Sequence, residues 1–260
     1  MHAQITHSTG TFTVDLNRGI DLSISIDANR GARAWYVDLP EIEPVMSEHF
    51  TGSVAQGGSV NFRNVFFNPH GNGTHTECVG HIAQEVHSVN KNLDRYFFVA
   101  QLISVEPKSI ASPFEDDKTD QVIDKDLLEG QILAGAEALI IRTLPNSASK
   151  TTLDYSNKNA PYFTEEAMRY IVEMGIDHLL VDLPSVDRES DGGALACHHI
   201  FWEYPHQTRF HKTITEFIFA EDAVTDGRYL LNLQVAALEN DASPSRPVIF
   251  PIISEDHEHH

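Results

Sequence analysis

Between residues 70 and 81 the chain reads His70-Gly-Asn-Gly-Thr-His75-Thr-Glu77-Cys-Val-Gly-His81, three histidines and a glutamate within twelve positions threaded with glycine. On an extended segment, residues two apart point the same way, so His75 and Glu77 present an imidazole and a carboxylate together. That donor pair suits zinc, manganese or iron. His70 precedes His75 by five residues and would face away on a straight strand. The Gly71-Asn72-Gly73 insert supplies a bend that could return it, because glycine tolerates the backbone angles required. His81 is either a fourth ligand or a proton carrier just outside a metal, since imidazole titrates near neutrality. Short motifs also arise by coincidence, and spacing alone leaves that choice open.

Glu216 lies in the strand-forming run Thr213-Ile-Thr-Glu-Phe-Ile-Phe219. Alternation there puts Ile214, Glu216 and Ile218 on one face and Thr215, Phe217 and Phe219 on the other. With both faces apolar, the carboxylate needs a cation, a hydrogen-bond cage or a proton. A metal ion would satisfy it; an arginine such as Arg142 is the more ordinary partner. His198 and His199 precede Ile200-Phe201-Trp202 at a helix start or loop. Adjacent histidines point apart, so at most one of them is a ligand.

The elements that must position these residues are short and mixed. Alternating segments predict strands at 11–16 and 19–26, followed by a loop-rich stretch over 27–61. A strand is expected at 96–105, a short helix at 120–129 and buried strands at 137–143 and 178–183. The clearest helix spans 164–174. Thr164 can cap it, Glu165 and Glu166 suit its N-terminal end, and Ala167, Met168, Ile171 and Val172 form its apolar stripe. Gly175 stops it. Late strands are expected at 213–220 and 229–238. The pattern predicts one α/β domain over residues 1–253, with a mixed β-sheet or barrel-like core flanked by helices. Residues 254–260, with His257, His259 and His260, read as a disordered histidine-rich tail.

Composition narrows the partners. The 260 residues carry a formal charge of −20 with no basic run. Such a surface repels nucleic acid and anionic membranes. Two cysteines, Cys78 and Cys197, make no disulfide framework. The first residues have no apolar signal core, and no apolar run approaches a membrane span. A protein of the reducing cytoplasm, with no nucleic-acid or membrane partner, is expected.

These residues resemble the cyclase family of metal-dependent hydrolases, which includes kynurenine formamidase and isatin hydrolase. The family signature is His-x-Gly-Thr-His-x-Asp-x-Pro-x-His, beside which stand Gly73-Thr74-His75-Thr76-Glu77 and His81. Val181-Asp182-Leu-Pro-Ser185-Val-Asp187 resembles the family's Asp-Thr-Pro-Ser-Val-Asp, and Asp241-Ala-Ser-Pro244-Ser-Arg246 resembles its Asp-Ala-Ser-Pro-Val-Arg. Ile20-Asp21-Leu22-Ser23 resembles its opening strand. The motifs keep family order from about residue 20 to 250. Three departures lie inside the metal loop: one extra residue between the first two histidines, glutamate for aspartate at 77, and no proline before His81.

The resemblance implies a swivelling β/β/α fold and hydrolysis of an amide C–N bond, in an aryl formamide such as N-formylkynurenine or in a cyclic amide. It implies one or two divalent ions, zinc or manganese. His70, His75 and Glu77 match the first metal's ligands, and His198 and Glu216 complete a second site. His198 is preferred to His199 for its spacing to Trp202. His81 matches the general acid/base, and a homodimer or homotetramer is implied. Trp35 or Phe66 could stack on an aromatic substrate. Two rival readings remain. One is a non-haem iron oxygenase using His75, Glu77 and His198; the other is a metal-binding relative without catalysis.

Overall fold

The computed structural model of the chain describes residues 1–256. Its largest sheet holds eleven strands. In chain order these are β1 (His2–His7), β2 (Gly10–Asp15), β3 (Ile20–Asp21), β4 (His75–Glu77), β5 (Phe97–Val105), β6 (Ala138–Thr143), β7 (His178–Val181), β8 (Thr213–Glu216), β9 (Gly227–Asn232), β10 (Ala242–Pro244) and β11 (Val248–Asp256). Across the sheet the order is β1-β2-β11-β9-β5-β6-β7-β8-β4-β10, with β3 beside β11. Strands β5 to β8 run parallel, and antiparallel strands extend the sheet on both sides. The fold is a mixed α/β single domain with few helices.

The parallel centre follows from sequence. β5, β6 and β7 are nearly continuous apolar runs, the pattern of strands covered on both faces. Their alternate residues separate cleanly. Ile103, Leu139, Ile141, Leu179 and Val181 pack with Met168, Ile171, Phe201 and Trp202 from the helices. Leu102, Ile140 and Leu180 pack on the opposite side with Leu22, Tyr229 and Leu231.

Among the described residues three α-helices accompany the sheet: α1 (Val89–Asn92), α2 (Glu165–Glu173) and α3 (Ala196–Trp202). In α2, Thr164 caps as expected, its hydroxyl accepting from the Ala167 amide. Gly175 follows in the left-handed region at φ 78°.

Several sequence expectations change. The predicted helix at 120–129 is instead the strand Thr119–Ile123 followed by a 3-10 turn, Lys125–Leu127. The β-branched pair Val122-Ile123 pairs with Tyr162–Phe163 in a small three-stranded sheet, and Asp124 caps the turn through the Lys125 amide. The strand predicted over 213–220 stops at Glu216, because Phe217 turns to φ 55°. The alternation therefore breaks, and Ile214 and Ile218 lie in different hydrophobic clusters. The strand expected at 19–26 shrinks to Ile20–Asp21. The loop-rich stretch holds the small pairing of Met46–Ser47 with Phe50–Thr51, and its strand Glu41–Pro44 pairs with Arg63–Phe66 just beyond it. At the C-terminus β11 reaches Asp256, so residues 254–256 of the expected tail are strand. His257, His259 and His260 lie outside the described residues. No helix among the described residues is long and apolar enough to cross a membrane.

Candidate metal centre

The site is assembled on β4. This strand lies between β8 and β10, with Glu216 opposite His75 and Ala242 opposite Glu77. The register sets Glu216 beside His75 and brings Asp241 to the end of β4, where the Cys78 amide donates to the Asp241 carbonyl at 3.0 Å. His75 and Glu77 are both completely buried.

The awkward spacing of His70 is resolved by a built turn. The Asn68 side chain accepts from the amides of His70 and Gly71 at 2.9 and 3.0 Å, and Asn72 accepts from the Asn68 amide at 2.8 Å. Gly73 takes φ 71°, a conformation glycine enters without steric cost. The turn brings the His70 ring to 5.3 Å from that of His75 and 4.3 Å from that of His81.

Two groups of ligand atoms converge and share Glu77. One is His75, Glu77 and Glu216, all buried; the other is His70, Glu77 and His81, toward the surface. In each, the ligand atoms lie within 4.8 Å of one another. His70 thus stands with His81, and Glu216 stands with His75, a division different from the one expected. α3 adds His198, whose Nε2 lies 3.1 Å from one Glu77 oxygen and 3.9 Å from Glu216. His199 turns away toward the Tyr204 carbonyl at 3.2 Å. Arg142 is no partner of Glu216: it binds Asp226, Ser104 and the carbonyls of Glu221 and Val224.

Two aspartates complete the arrangement. Asp187 accepts from the backbone amides of Cys197 and His198 at 2.8 and 3.1 Å, and from His198 Nδ1. That fixes the ring so that Nε2 faces Glu77. Asp241 holds His70 Nε2 at 2.8 Å and lies 3.6 Å from His81 Nδ1. The sequence gives no role to either aspartate beyond the motifs that contain them, although those motifs are the signal that could have found them. Trp35 packs in a cluster with Tyr155 and Phe217, and Phe217 stands 6.0 Å from the His75 ring. Phe66 is 58% exposed.

Among the described residues, the ion pairs of Glu77, Glu216, Asp187 and Asp241 are made with histidine. Burial pushes the Glu77 carboxyl up, but His81, His198 and His70 outweigh it and hold it well below its ordinary value. Burial likewise opposes a charged His198, yet Asp187 and Glu77 raise it well above the usual histidine range. At His70 the contacts with Asp241 and Glu77 overcome burial and raise it to about 10.

Three buried atoms still make no hydrogen bond: His75 Nε2, Glu77 Oε2 and Glu216 Oε1. His75 Nδ1 donates to the Gly73 carbonyl at 3.2 Å, which turns Nε2 toward a Glu216 oxygen at 3.3 Å. Buried polar atoms left without partners are costly. A divalent cation fits this donor set.

Fold and site together define a mixed α/β protein with a buried carboxylate–histidine cluster at one end of its sheet. The chain belongs to the cyclase family, matching the family described as "Putative cyclase" over residues 20–188. It is 29% identical over 232 residues to the kynurenine formamidase of Bacillus cereus, covering 89% of this chain and 97% of that one. Among solved structures, a predicted metal-dependent hydrolase from Bacillus stearothermophilus aligns at TM-score 0.61 and 16% identity, covering 90% of this chain and 98% of that one. Isatin hydrolase A from Labrenzia aggregata aligns at TM-score 0.58 and 16% identity, covering 90% and 93%. At those identities the structures share the fold.

Proposed function

We propose that this chain is a metal-dependent hydrolase that cleaves an amide C–N bond. The observation that carries this reading is the trio of unsatisfied buried atoms on His75, Glu77 and Glu216. The family and the kynurenine formamidase relative support the reaction class. The favoured substrate is an aryl formamide such as N-formylkynurenine. A cyclic amide of the isatin type is the second candidate, supported by the shared fold.

His75, Glu77 and Glu216 would hold an inner ion, with His198 completing its nitrogen and oxygen donors. His70 and Glu77, with His81 beside them, would hold an outer one. A divalent ion such as zinc or manganese supplies Lewis acidity, making water a nucleophile near neutral pH and polarising the carbonyl. The protein's own groups do the rest. Asp187 orients His198, and Asp241 orients His70. His81 is the most exposed of the four histidines, 28% against 20%, 2% and 0% for His70, His198 and His75. Its Nδ1 faces Asp241 and Glu77, which leaves Nε2 to pass a proton to the leaving nitrogen. Water adds across the C–N bond: oxygen goes to the carbonyl carbon and a proton to the amine. The paired carboxylates Glu77 and Glu216 depart from the two-histidine, one-carboxylate site of the iron oxygenases.

The test is an assay of zinc- and manganese-loaded protein with N-formylkynurenine and with isatin, with bound metal counted. Hydrolysis that chelation abolishes and added metal restores is expected. Full activity in chelated protein would end this reading.

A further inference from the structure

Polar groups without partners also gather at the other end of the parallel strands. β8 ends at Glu216 and begins at Thr213, which lies beside His178, the first residue of β7. A cavity of about 250 Å³ opens there, its lining including Asn92, Asp94, Arg95, Phe98, His178 and His211. Glu216 lies three residues further along β8, about 10 Å away.

His178 is the buried member of the lining, 3% exposed. Its ring packs on Phe98 at 3.9 Å, and Nδ1 lies 2.8 Å from the Thr213 hydroxyl. Among the described residues Nε2 makes no hydrogen bond of its own. A polar atom so deep in the fold is costly to leave unpaired. When the Thr213 hydroxyl donates to Nδ1, the proton of the neutral ring sits on Nε2, which then donates to whatever fills the cavity. Asn92 Nδ2 is likewise buried without a hydrogen-bond partner. Arg95 lies over the Phe98 ring at 5.1 Å and gives one Nη1 bond to Glu137 at 3.0 Å. The rest of its guanidinium fork is left to the cavity, and that fork matches a planar or tetrahedral oxyanion.

Charge selects the ligand. Burial comes first in keeping His178 neutral, and Arg95, His211 and Lys212 add to it by repulsion. Lys212 is 4% exposed, its ammonium over the Phe201 ring at 5.0 Å, and no carboxylate pairs with it among the described residues. The carboxylates nearby are mostly engaged. Glu137 holds Arg95 and the Val99 amide, and Asp177 holds His211. Asp94 alone of the lining carboxylates remains, on an exposed residue. A cationic ligand would meet Arg95 and the neighbours that already repel a proton from His178. A neutral one would leave the guanidinium unanswered. We infer that this cavity binds a small oxyanion, a carboxylate or a phosphate, between Arg95, Asn92 and His178. The site is distinct from the His75, Glu77 and Glu216 cluster, and its occupancy requires no metal.

Histidine-ring proton–nitrogen spectra of the full chain test this at neutral pH. The protein is titrated separately with inorganic phosphate and with formate, at constant ionic strength made up with chloride. The His178 signal is the one missing from His178→Gln. A saturable shift of that signal is expected with at least one of the two anions, and the anion that produces it identifies the source. Arg95→Gln, a change at a half-exposed side chain, should weaken the apparent affinity by about tenfold or more. Should His178→Gln misfold, calorimetric titration of native and Arg95→Gln protein with the same anions decides. No saturable response to either anion, an equal response to chloride alone, or a folded Arg95→Gln protein that binds as tightly as the native chain would each overturn the inference. None of these readings uses hydrolysis, so they stand apart from the proposed reaction.

Discussion

At the scale of single residues, the centre depends on which atoms lack partners and which residues aim them. Glu77 is shared by both candidate ligand groups, whereas Asp187 belongs to neither and binds the His198 ring and the backbone amides at the start of α3. Outer carboxylates that orient a ligating histidine typically contribute 10- to 100-fold to metal affinity. Asp187→Asn should therefore weaken metal binding by about that factor, measured by competition with a chromogenic chelator, while Asp187→Glu recovers part of it. An unchanged affinity would show that Asp187 serves only the helix start. For His81 the expectation differs in kind. His81→Ala should lower kcat by about 10²-fold or more while the inner ion stays bound. Retained turnover would remove the proton-carrier role.

At the scale of elements, much was legible in sequence. The apolar runs of β5, β6 and β7 and the capped, striped helix α2 announce themselves because local pattern and burial agree. The predicted helix at 120–129 failed because Val122 and Ile123 fit a strand as well as a helix, and only Tyr162–Phe163, distant in sequence, decides between them. The end of β8 was also hidden, since nothing local forces Phe217 to φ 55°. For the site, the residues around β4 could be read from spacing. The approach of Asp241 through β10 and of Asp187 through α3 is tertiary and could only be signalled by motif.

Two predictions belong at this scale. Thr164→Ala removes the α2 cap and should cost about 1 kcal/mol in denaturant unfolding. His178 opens β7, 3% exposed, with its ring against Phe98 and Nδ1 2.8 Å from the Thr213 hydroxyl. Burial, aided by Arg95, pushes it down to about 3. The unfolded chain takes up this proton near pH 6.5 and the folded chain does not. Stability should therefore fall as pH drops from about 6.5 toward 3, by about 1.4 kcal/mol per unit from this group. Unfolding of His178→Gln, followed between pH 7 and 5, should lack that component. An identical pH slope in both proteins would contradict it.

At the scale of the whole molecule, an acidic chain crowds His70, His75, His81 and His198 with Glu77, Glu216, Asp187 and Asp241 at one end of a mixed sheet, and on the proposed reading a cation would offset the cost of that crowding. Metal binding should therefore stabilise the fold, by about 2.7 kcal/mol when free metal is 100 times its Kd. Thermal unfolding with and without chelator measures this. The central claim is that a metal ion sits among His75, Glu77 and Glu216. An anomalous difference map from crystals grown with zinc or manganese tests it most directly. The account predicts a peak within bonding distance of His75 Nε2 and both carboxylates, lost in Glu216→Gln crystals. Saturating metal with no peak there, in a crystal whose His75 and Glu216 keep their present positions, would contradict it.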